Sequence, residues 1–600
     1  MKKTKKLLAI ILSVVMLATS LYVGAYAAIN VDDDCCPTIV IPGLFQSEMK
    51  YYEDGKLIST AGPFFIDTTD VIVDALNEAL IPIASLLVNQ KDKEAMAANA
   101  VADVLSRTIM EKHRSDENGK FVNDVRATKY TVNYGELSEH DQETIFSHFP
   151  LQYYVKHAGE DKLYVFSYVS TGNMIDTANE LYDFIQHVKE VSGYEKVNIV
   201  PVSQGGSIAN ALLQMYAEKG ISLSRDINRV VYVVPALDGS TLVGEVYEYG
   251  LLDDDHEIYC EMLPALLGEE NVLSYLINVI LRIMPNADLN NILDQVATTL
   301  IMDYTRYSTL LWGLCPSANY PASRDKYLAD ESTKNILAQT EWFYQAQLNR
   351  YDNILQAKED GVEVFNIVDY NVPLFHIVDS WDDMNADGII QLDSTSMGAY
   401  SVAVDVKLPE DYVPTHSNCT DPENHDHTDP YGLMDICTGL LPETTFYFYG
   451  QSHESSASND VIMKLASTLM FDSSFKDVHT YPDRFPQFNN ARNTKKLMKD
   501  LEEANKIDMS TLSTADKTEL LAAIVQAEKM LDNTVINLEE VEAANNRFYA
   551  IYDKITAPAE EPGEKENGAY MNFGDSLKQI LQMLSKILYL FFGGSGFSDM

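Results

Sequence analysis

One stretch of this 600-residue sequence combines a strand, a sharp turn and the start of a helix: Val197-Asn198-Ile199-Val200-Pro201-Val202-Ser203-Gln204-Gly205-Gly206. Its first half is a mostly apolar run rich in β-branched residues, which is typical of a buried strand. A serine then stands close before two glycines, and small residues are needed where a helix packs closely against the preceding strand. The stretch therefore predicts a nucleophile elbow, a strained turn that exposes the hydroxyl of Ser203.

The match to the elbow pattern G-x-S-x-G is incomplete at one position. Gly205 fills the second glycine position, but Pro201 stands where the first glycine is usual. Proline fixes a negative φ, so it is compatible with the turn if the backbone at this position stays in that region. The alternative interpretation is an ordinary strand-to-helix turn in which Ser203 only caps the helix.

Other apolar runs before and after this stretch also predict strands. Segments with helical periodicity, such as residues 176–191, separate them. Strands that alternate with helices and read as continuous apolar runs predict a mostly parallel sheet covered on both faces, and hence an α/β fold. The predicted strands lie at residues 38–41, 163–166, 196–201, 230–234, 362–368, 373–378 and 446–449.

Ordered pieces of residues 36–475 resemble one family. The pieces are Pro42-Gly43 after the first strand, the turn Pro235-Ala236-Leu237-Asp238-Gly239-Ser240, the acid turn Asn385-Ala386-Asp387-Gly388, and the loop Gly450-Gln451-Ser452-His453. Together with the elbow they make the chain similar to the α/β-hydrolase family, and within it to secreted lipases and lecithin–cholesterol acyltransferase-like lipases. The resemblance implies the α/β-hydrolase fold with a helical cap.

The chemistry of acyl transfer assigns a role to each piece. Ser203 is the predicted nucleophile, His453 the general base and then acid, and Asp387 the carboxylate that fixes the tautomer of the imidazole. His479 is the only late rival of His453, but it follows a predicted helix and not a strand. The oxyanion donors are expected to be the backbone amides of Gln204 and Leu44. Phe45 is the alternative to Leu44.

The predicted acid turn also imitates half of a calcium-binding loop. Asp383 and Asn385 precede Asp387, and Gly388 and Ile390 occupy the sixth and eighth positions of an EF-hand pattern. The twelfth position is a serine, which lacks the required bidentate carboxylate. The catalytic interpretation of Asp387 is therefore preferred, although a structural calcium could coexist with it. No cofactor is required for the expected chemistry.

A polar loop at residues 416–427 is rich in metal-ligating residue types, including His425 and His427. Its spacing matches no zinc pattern closely, so it is interpreted either as a loop held by a disulfide or as a structural metal site. The chain has six cysteines. The pairs expected from their positions are Cys419 with Cys437 and Cys260 with Cys315.

The predicted hydrolase domain spans residues 28–485. Within it, residues 241–345 contain apolar helical segments and no obvious strands, which predicts a helical cap, and residues 395–445 read as a loop insertion. Apolar helices beside a cleft would form a hydrophobic wall, so the expected substrate is a lipid or another apolar ester. The alternative is that these apolar residues have a purely structural role and only pack a hydrophobic core.

The C-terminal part of the sequence divides into three segments. Residues 490–556 contain three amphipathic runs, which predict a three-helix bundle similar to the small helical modules of Gram-positive wall proteins. A linker rich in Pro, Glu and Gly follows at 557–570. The tail at 571–600 carries an amphipathic helix too short to span a bilayer. It is expected either to contact a membrane or the cell envelope, or to dock on its own protein.

The N-terminal residues 1–27 read as a secretory signal. Four lysines precede an apolar run, and Ala25-Tyr26-Ala27 offers a small-x-small cleavage pattern. An uncleaved membrane anchor is the alternative. The formal charge of −45 disfavours nucleic acid as a partner, because a polyanion would be repelled. The expected location is therefore outside the cell or on its surface.

The function expected from these observations is a secreted serine hydrolase that cleaves carboxylic esters of lipids through an acyl-enzyme. Two alternatives stay open. An acyltransferase or phospholipase of the same fold would use the same three side chains with another acceptor or donor. An inactive, hydrolase-like surface protein would use none of them, and Pro201 in the elbow is the best support for it.

Overall fold

A computed structural model describes residues 35–61, 93–106, 111–250, 286–374, 383–420, 423 and 426–489 except 458 and 483. With short gaps it also describes 501–532 and 547–556. The predictions for the signal at 1–27, for Cys260, for His425, for the linker and for the tail at 571–600 fall outside these residues. Among the described residues, no helix combines the length and the apolarity that crossing a bilayer would require.

Fourteen strands occur in the described residues. In chain order they are β1 (Thr38–Ile41), β2 (Met49–Glu53), β3 (Lys56–Ala61), β4 (Asp124–Ala127), β5 (Leu163–Val165), β6 (Val197–Pro201), β7 (Ile227–Val233), β8 (Glu363–Tyr370), β9 (Val372–Pro373), β10 (Asn385–Ala386), β11 (Tyr400–Ser401), β12 (Met434–Asp435), β13 (Thr445–Tyr449) and β14 (Phe488–Asn489).

The α-helices of the described residues follow the same order. They are α1 (Lys93–Leu105), α2 (Glu139–His148), α3 (Gln152–Ala158), α4 (Met174–Ser192), α5 (Gln204–Glu218), α6 (Thr241–Tyr249), α7 (Asn286–Asp303), α8 (Thr309–Trp312), α9 (Tyr320–Tyr327), α10 (Lys334–Leu348), α11 (Arg350–Glu359), α12 (Leu392–Thr395), α13 (His453–Ser456), α14 (Asp460–Phe471) and α15 (Thr514–Asp532).

Seven strands form one central sheet in the order β14-β13-β8-β7-β6-β1-β5. Each neighbouring pair is parallel, as in the register Val40 opposite Val165 on one side and Val200 on the other. The six predicted strands that lie in this sheet are present within a few residues of their expected bounds. The sequence-based prediction of an α/β fold with a parallel sheet is confirmed.

Apolar clusters cover both faces of the sheet. Ile39 points into a cluster with the helices α4, α5, α10 and α11, whereas its neighbour Val40 points into a cluster with α2, α3 and α14. Successive residues of a strand face opposite sides, so a strand buried on both faces is mostly apolar along its whole length. This explains why the central strands could be recognised as largely apolar runs, interrupted by a few buried polar residues such as Asn198 and Asp369.

Three small sheets were not expected from the sequence, and in one of them β11 pairs antiparallel with β12. β2 pairs antiparallel with both β3 and β4, and β9 pairs antiparallel with β10. The predicted strand at 373–378 is represented by β9, which ends at Pro373 and lies outside the central sheet; residues 375–378 lie outside the described part. The β9–β10 pair is important for the site because β10 ends directly before Asp387.

The region between β7 and β8 is helical in its described residues. α6, α7, α8 and α9 share an apolar cluster of their own, which contains Tyr247, Ile301, Trp312 and Tyr320. α10 joins this cluster to the sheet, because Ile336 packs in it while Phe343 packs in the cluster on the sheet face. The expected cap boundary at 345 therefore falls inside a helix that belongs to both.

The described parts of residues 501–556 are mostly helical. α15 contributes Leu520 and Ile524 to an apolar cluster that also contains Leu501 and Phe548. Three stretches far apart in sequence therefore share one cluster.

Candidate active site

The turn after β6 brings Ser203 to the carboxyl end of the sheet. Ser203 has φ 52° and ψ −118°, a conformation that residues other than glycine seldom adopt. Its N–H donates to the carbonyl oxygen of Val233 at 3.1 Å, and α5 begins at the next residue. Pro201 is the last residue of β6, in register with Ile41 of β1. The strained serine turn expected from the sequence is therefore present with proline in place of the first glycine.

Gly205 allows the close approach that this turn requires. A Cβ atom at this position would lie 2.5 Å from the carbonyl oxygen of Ile41 and 3.1 Å from that of Pro42. These are backbone atoms of the neighbouring strand and loop, so they cannot move aside cheaply. The position two residues after Ser203 is therefore restricted to glycine, as the elbow pattern predicts.

The structure brings Ser203, His453 and Asp387 into one chain of contacts. His453 Nε2 lies 2.9 Å from Ser203 Oγ, and His453 Nδ1 lies 2.7 Å from Asp387 Oδ2. These separations are within hydrogen-bonding distance. The three side chains are separated by up to 250 residues in the sequence, and only the fold places them together.

Asp387 is fully buried and its carboxylate has defined partners. Oδ1 accepts from the amides of Ile389 at 3.0 Å and Ile390 at 2.7 Å, which leaves Oδ2 for His453. The amide of His453 also donates to the carbonyl oxygen of Asp387 at 2.7 Å. Backbone and side chain therefore both fix the imidazole relative to the carboxylate.

The first loop, which follows β1, lies against the serine. A Cβ atom on Gly43 would lie 2.8 Å from Ser203 Cβ and 3.3 Å from Ser203 Oγ. The N–H of Gly43 donates to Gln46 Oε1 at 2.7 Å, and that of Phe45 donates to Ser170 Oγ at 2.9 Å. These two amides are therefore engaged.

The sequence predicted two possible oxyanion pairs, Gln204 with Leu44 or Gln204 with Phe45. The hydrogen bonds of the described residues favour the pair with Leu44. In the part of the chain that the structure describes, the N–H groups of Leu44 and Gln204 donate to no protein atom. Gln204 opens α5, and the first amides of a helix have no partner within it. Leu44 is thus a better candidate than Phe45, whose amide bonds to Ser170.

A buried polar network holds the first loop against α5. The Tyr168 hydroxyl lies 2.8 Å from the carbonyl oxygen of Pro42 and 3.1 Å from Gln204 Oε1. Gln204 Nε2 donates to the carbonyl oxygen of Ser170 at 3.2 Å. Burial raises the pKa of the Tyr168 hydroxyl, so it stays protonated and able to donate. Tyr168, Ser170 and the side chain of Gln204 were missed in the sequence because no motif marks them.

An apolar surface borders these side chains. Ala236, Leu314 and Ile390 form a small buried cluster, and four partly exposed residues pack against it. These four come from the first loop, the cap region and the acid turn, and they are Leu44, Val243, Leu311 and Ile389. An apolar group bound beside Ser203 would therefore contact hydrocarbon side chains.

A second buried carboxyl group lies close to the site. Asp369 stands near the end of β8, and its Oδ2 accepts a hydrogen bond from Ser456. Among the described residues, its buried Oδ1 has no hydrogen-bond partner. Burial raises the pKa of the Asp369 carboxyl well above 3.8; the bond from Ser456 opposes this shift, and the charge of Asp387 adds to it. Ser456 lies one turn after His453 in α13, so its hydrogen bond to Asp369 anchors the turn that carries the imidazole.

The raised pKa of Asp369 predicts how stability depends on pH. In the unfolded chain an aspartate ionises near pH 4, whereas folded Asp369 keeps its proton to a higher pH. Its contribution to stability is therefore complete below about pH 4 and decreases by up to about 1.4 kcal/mol per pH unit above it, until the folded group also ionises. Asp369→Asn is expected to remove this decrease.

Urea unfolding of wild type and Asp369→Asn at pH 5 and pH 8 measures the effect. The control is Asp352→Asn, which changes an exposed aspartate on α11 and should keep the pH dependence of the wild type. Equal changes in the free energy of unfolding for wild type and Asp369→Asn would mean that Asp369 is ionised in the folded protein.

The three candidate calcium ligands, Asp383, Asn385 and Asp387, differ in how many of their oxygens are already hydrogen-bonded. Asn385 Oδ1 accepts from the amide of Asn371 at 2.8 Å, and the carboxylate of Asp387 is used by His453 and by two amides. Asp383 is exposed, and its backbone carbonyl accepts from Val404 at 3.0 Å. Two of the three oxygen groups of the EF-hand pattern are thus already bonded within the protein.

The polar loop at residues 416–427 is held by a disulfide and brings two histidines beside it. Cys419 and Cys437 form a disulfide with a Cα separation of 5.9 Å, which confirms that predicted pair. His427 and His416 lie beside it. Cys315 is a buried thiol, and burial raises its pKa to about 12; its predicted partner Cys260 lies outside the described residues.

Comparison with known proteins adds little to this geometry. No protein-family model matches the sequence, and no curated protein is similar to it. Solved structures that match include a chain of the crystal structure of the Tle4–Tli4 complex, at 12% identity and a TM-score of 0.32, with 74% of this chain and 99% of that chain covered. At that TM-score the similarity supports no conclusion about activity.

Proposed function

We propose that this protein is a serine hydrolase of the α/β-hydrolase family that cleaves carboxylic esters with apolar acyl groups through an acyl-enzyme. The observation that supports the proposal most directly is the continuous contact from Asp387 through His453 to Ser203, at 2.7 Å and 2.9 Å. The position of this contact at the end of a parallel sheet, beside a strained serine turn, supports it further.

The reaction would begin at the Ser203 hydroxyl. His453 Nε2 would take the hydroxyl proton as Oγ attacks the ester carbonyl, and Asp387 would hold the proton on Nδ1 and stabilise the imidazolium. The amides of Leu44 and Gln204 would donate to the oxyanion. His453 would then give its proton to the leaving alcohol, and a water activated by the same imidazole would release the acid.

The apolar surface around Leu311 and Ile389 supports an apolar acyl group over a small polar substrate. Hydrocarbon buried against such side chains contributes about 25 cal/mol per Å² of apolar area removed from water. Longer acyl chains should therefore be favoured until the surface is covered. The acyltransferase or phospholipase alternative would use the same residues, so only the acceptor and the donor distinguish it.

The test is a series of soluble nitrophenyl esters of increasing acyl length, together with an organophosphorus probe that labels activated serines. We expect kcat/KM to increase from the acetyl ester to medium chains and the probe to label Ser203. Labelling of another serine would refute the site. Absence of both hydrolysis and labelling would favour the inactive surface protein.

Two further assays separate the alternatives within the fold. Added alcohol that diverts the acyl group from water to an ester product would indicate an acyltransferase. Release of fatty acid from phospholipid vesicles, with little activity on neutral esters, would indicate a phospholipase.

The proposal extends to the rest of the chain. The small apolar cluster around Leu520 and Phe548 supports a three-helix bundle at 490–556. Export by the segment 1–27, a location outside the cell or on its surface, and contact of the tail at 571–600 with membrane or envelope are proposed from the sequence alone.

A further inference from the structure

The loop insertion after α12 contains a group of nitrogen and sulfur atoms that the proposed reaction does not use. It consists of His416, Cys419, His427 and Cys437. We propose that these four side chains form a tetrahedral zinc site, which takes the place of the Cys419–Cys437 disulfide when the two sulfurs are reduced. This inference is independent of the proposed hydrolase activity.

The four side chains converge on one point. His427 Nδ1 lies 3.0 Å from Cys437 Sγ and 3.6 Å from Cys419 Sγ. One ligand atom each from His416, Cys419 and His427 lie within 4.8 Å of one another. The rings of His416 and His427 are 4.2 Å apart between centroids and nearly perpendicular. A disulfide needs only the two sulfurs, so it does not explain why two imidazoles surround it.

The donor types select the metal. Two thiolates and two imidazoles are a common structural zinc set, whereas calcium and magnesium require oxygen ligands. With Zn–N near 2.0 Å and Zn–S near 2.3 Å, a tetrahedral site places nitrogen and sulfur roughly 3.5 Å apart. The distance from His427 Nδ1 to Cys419 Sγ, 3.6 Å, already has this value. The two sulfurs, which a disulfide holds about 2.0 Å apart, would separate to roughly 3.8 Å when zinc binds, and Cys437 would move away from both His427 and Cys419.

The backbone around the group is held by bonds that do not involve the sulfurs. The Asp435 carboxylate accepts from the Tyr412 hydroxyl and the Thr415 amide, both at 2.8 Å. The amide of Ile436 donates to the carbonyl oxygen of His427 at 3.0 Å, and Asn418 Nδ2 donates to the carbonyl oxygen of Gly439 at 2.9 Å. The four donors should therefore stay close together after reduction.

The location gives the site a structural role. Cys437 is fully buried in an apolar cluster with Tyr370 of β8 and Tyr447 of β13, whereas His416 is exposed. A link between these two residues ties an otherwise polar loop to two strands of the central sheet. Small polar segments that cannot bury a core of their own commonly rely on such links.

Conversion between the two forms requires a reductant. A water-soluble phosphine gives two electrons to the disulfide and takes an oxygen atom from water, and the two protons of that water go to Cys419 and Cys437. Zinc then binds the sulfurs as thiolates and releases these two protons, while the neutral imidazoles bind through one nitrogen each.

The experiment titrates zinc into the full chain after phosphine reduction under nitrogen, with metal content and proton release as readouts. Cobalt serves as a spectroscopic probe because cobalt–thiolate bonds give a charge-transfer band. We expect one zinc per reduced chain and none for the oxidised chain. His416→Ala and His427→Ala should each weaken zinc binding by more than about 100-fold, since removal of outer-shell partners alone costs roughly 10- to 100-fold.

His479→Ala is the matched control, because it removes an exposed histidine outside the group and should bind zinc like the wild type. His416 is exposed, so its replacement leaves folding intact and keeps the test decisive. Reduced wild type that binds no zinc at micromolar protein, or His416→Ala that binds it as tightly as the wild type, would overturn the proposal.

Discussion

Replacing Ser203 by alanine is expected to lower kcat by about 10⁴- to 10⁶-fold while the protein still folds. The variant loses the atom that would attack the ester carbonyl, and His453 Nε2 loses its partner at 2.9 Å. Alanine keeps the Cβ atom that the turn already accommodates and removes only one oxygen, so the turn at φ 52° should persist. Steady-state hydrolysis of a soluble short-chain ester measures kcat, and circular dichroism measures folding.

Ser207→Ala is the control for this variant. Ser207 lies one turn further along α5, is fully buried, and donates to the carbonyl oxygen of Ala236 at 2.7 Å. Its replacement should reduce stability by about 1 kcal/mol and leave kcat within a few-fold. Ser203→Ala with more than about 1% of wild-type kcat would contradict the nucleophile assignment.

The double variant Ser203→Ala, His453→Ala tests whether the two residues act as one unit. Groups that act in one step are strongly non-additive, so the double variant should be about as slow as either single variant. Effects that multiply would mean that His453 serves another step.

Asp387→Asn is expected to lower kcat by about 10⁴-fold. The amide oxygen of asparagine can still accept from Ile389 and Ile390, so the acid turn should keep its shape. Its NH₂ group would donate to His453 Nδ1, which moves the imidazole proton to Nε2. That nitrogen could then no longer take the proton of Ser203.

Asp383→Asn is the matched control for the acid. Asp383 is exposed and lies four residues before Asp387, so its replacement should leave kcat unchanged. Both variants are assayed with and without a calcium chelator. Loss of activity in Asp383→Asn that matches the effect of the chelator on the wild type would favour the calcium loop, and unchanged activity of Asp387→Asn would refute its role as the orienting carboxylate.

Strands of the central sheet were predictable because their burial is uniform. β1, β6, β7, β8 and β13 are buried on both faces, so most of their positions are apolar, although Asn198, Arg229 and Asp369 are buried in them as well. β2 has one buried residue in five, and its sheet with β3 and β4 leaves polar side chains at the surface. No apolar run marks such strands, so they could not be recognised from the sequence.

The candidate site residues likewise differ in whether the sequence alone could identify them. Ser203 could be recognised from the sequence because the close approach of the Ile41 and Pro42 backbones requires glycine at position 205. That glycine is part of a local sequence pattern. The sequence could not show whether the amide of Leu44 or that of Phe45 is available to an oxyanion. This depends on Ser170, 125 residues from Phe45, whose hydroxyl accepts the Phe45 amide.

The sequence by itself determined the α/β class, the positions of most central strands along the chain and the chain order of Ser203, Asp387 and His453, because each depends on local apolar runs and turn residues. The order of the strands within the sheet came from the structure. Only the tertiary structure decided which amides of the first loop are bonded, that buried Asp369 accepts a hydrogen bond from Ser456 one turn after His453, and that two imidazoles lie beside Cys419 and Cys437. These properties depend on burial and on contacts between residues distant in sequence. A linear pattern does not encode such contacts residue by residue, because many different side chains can pack against the same backbone.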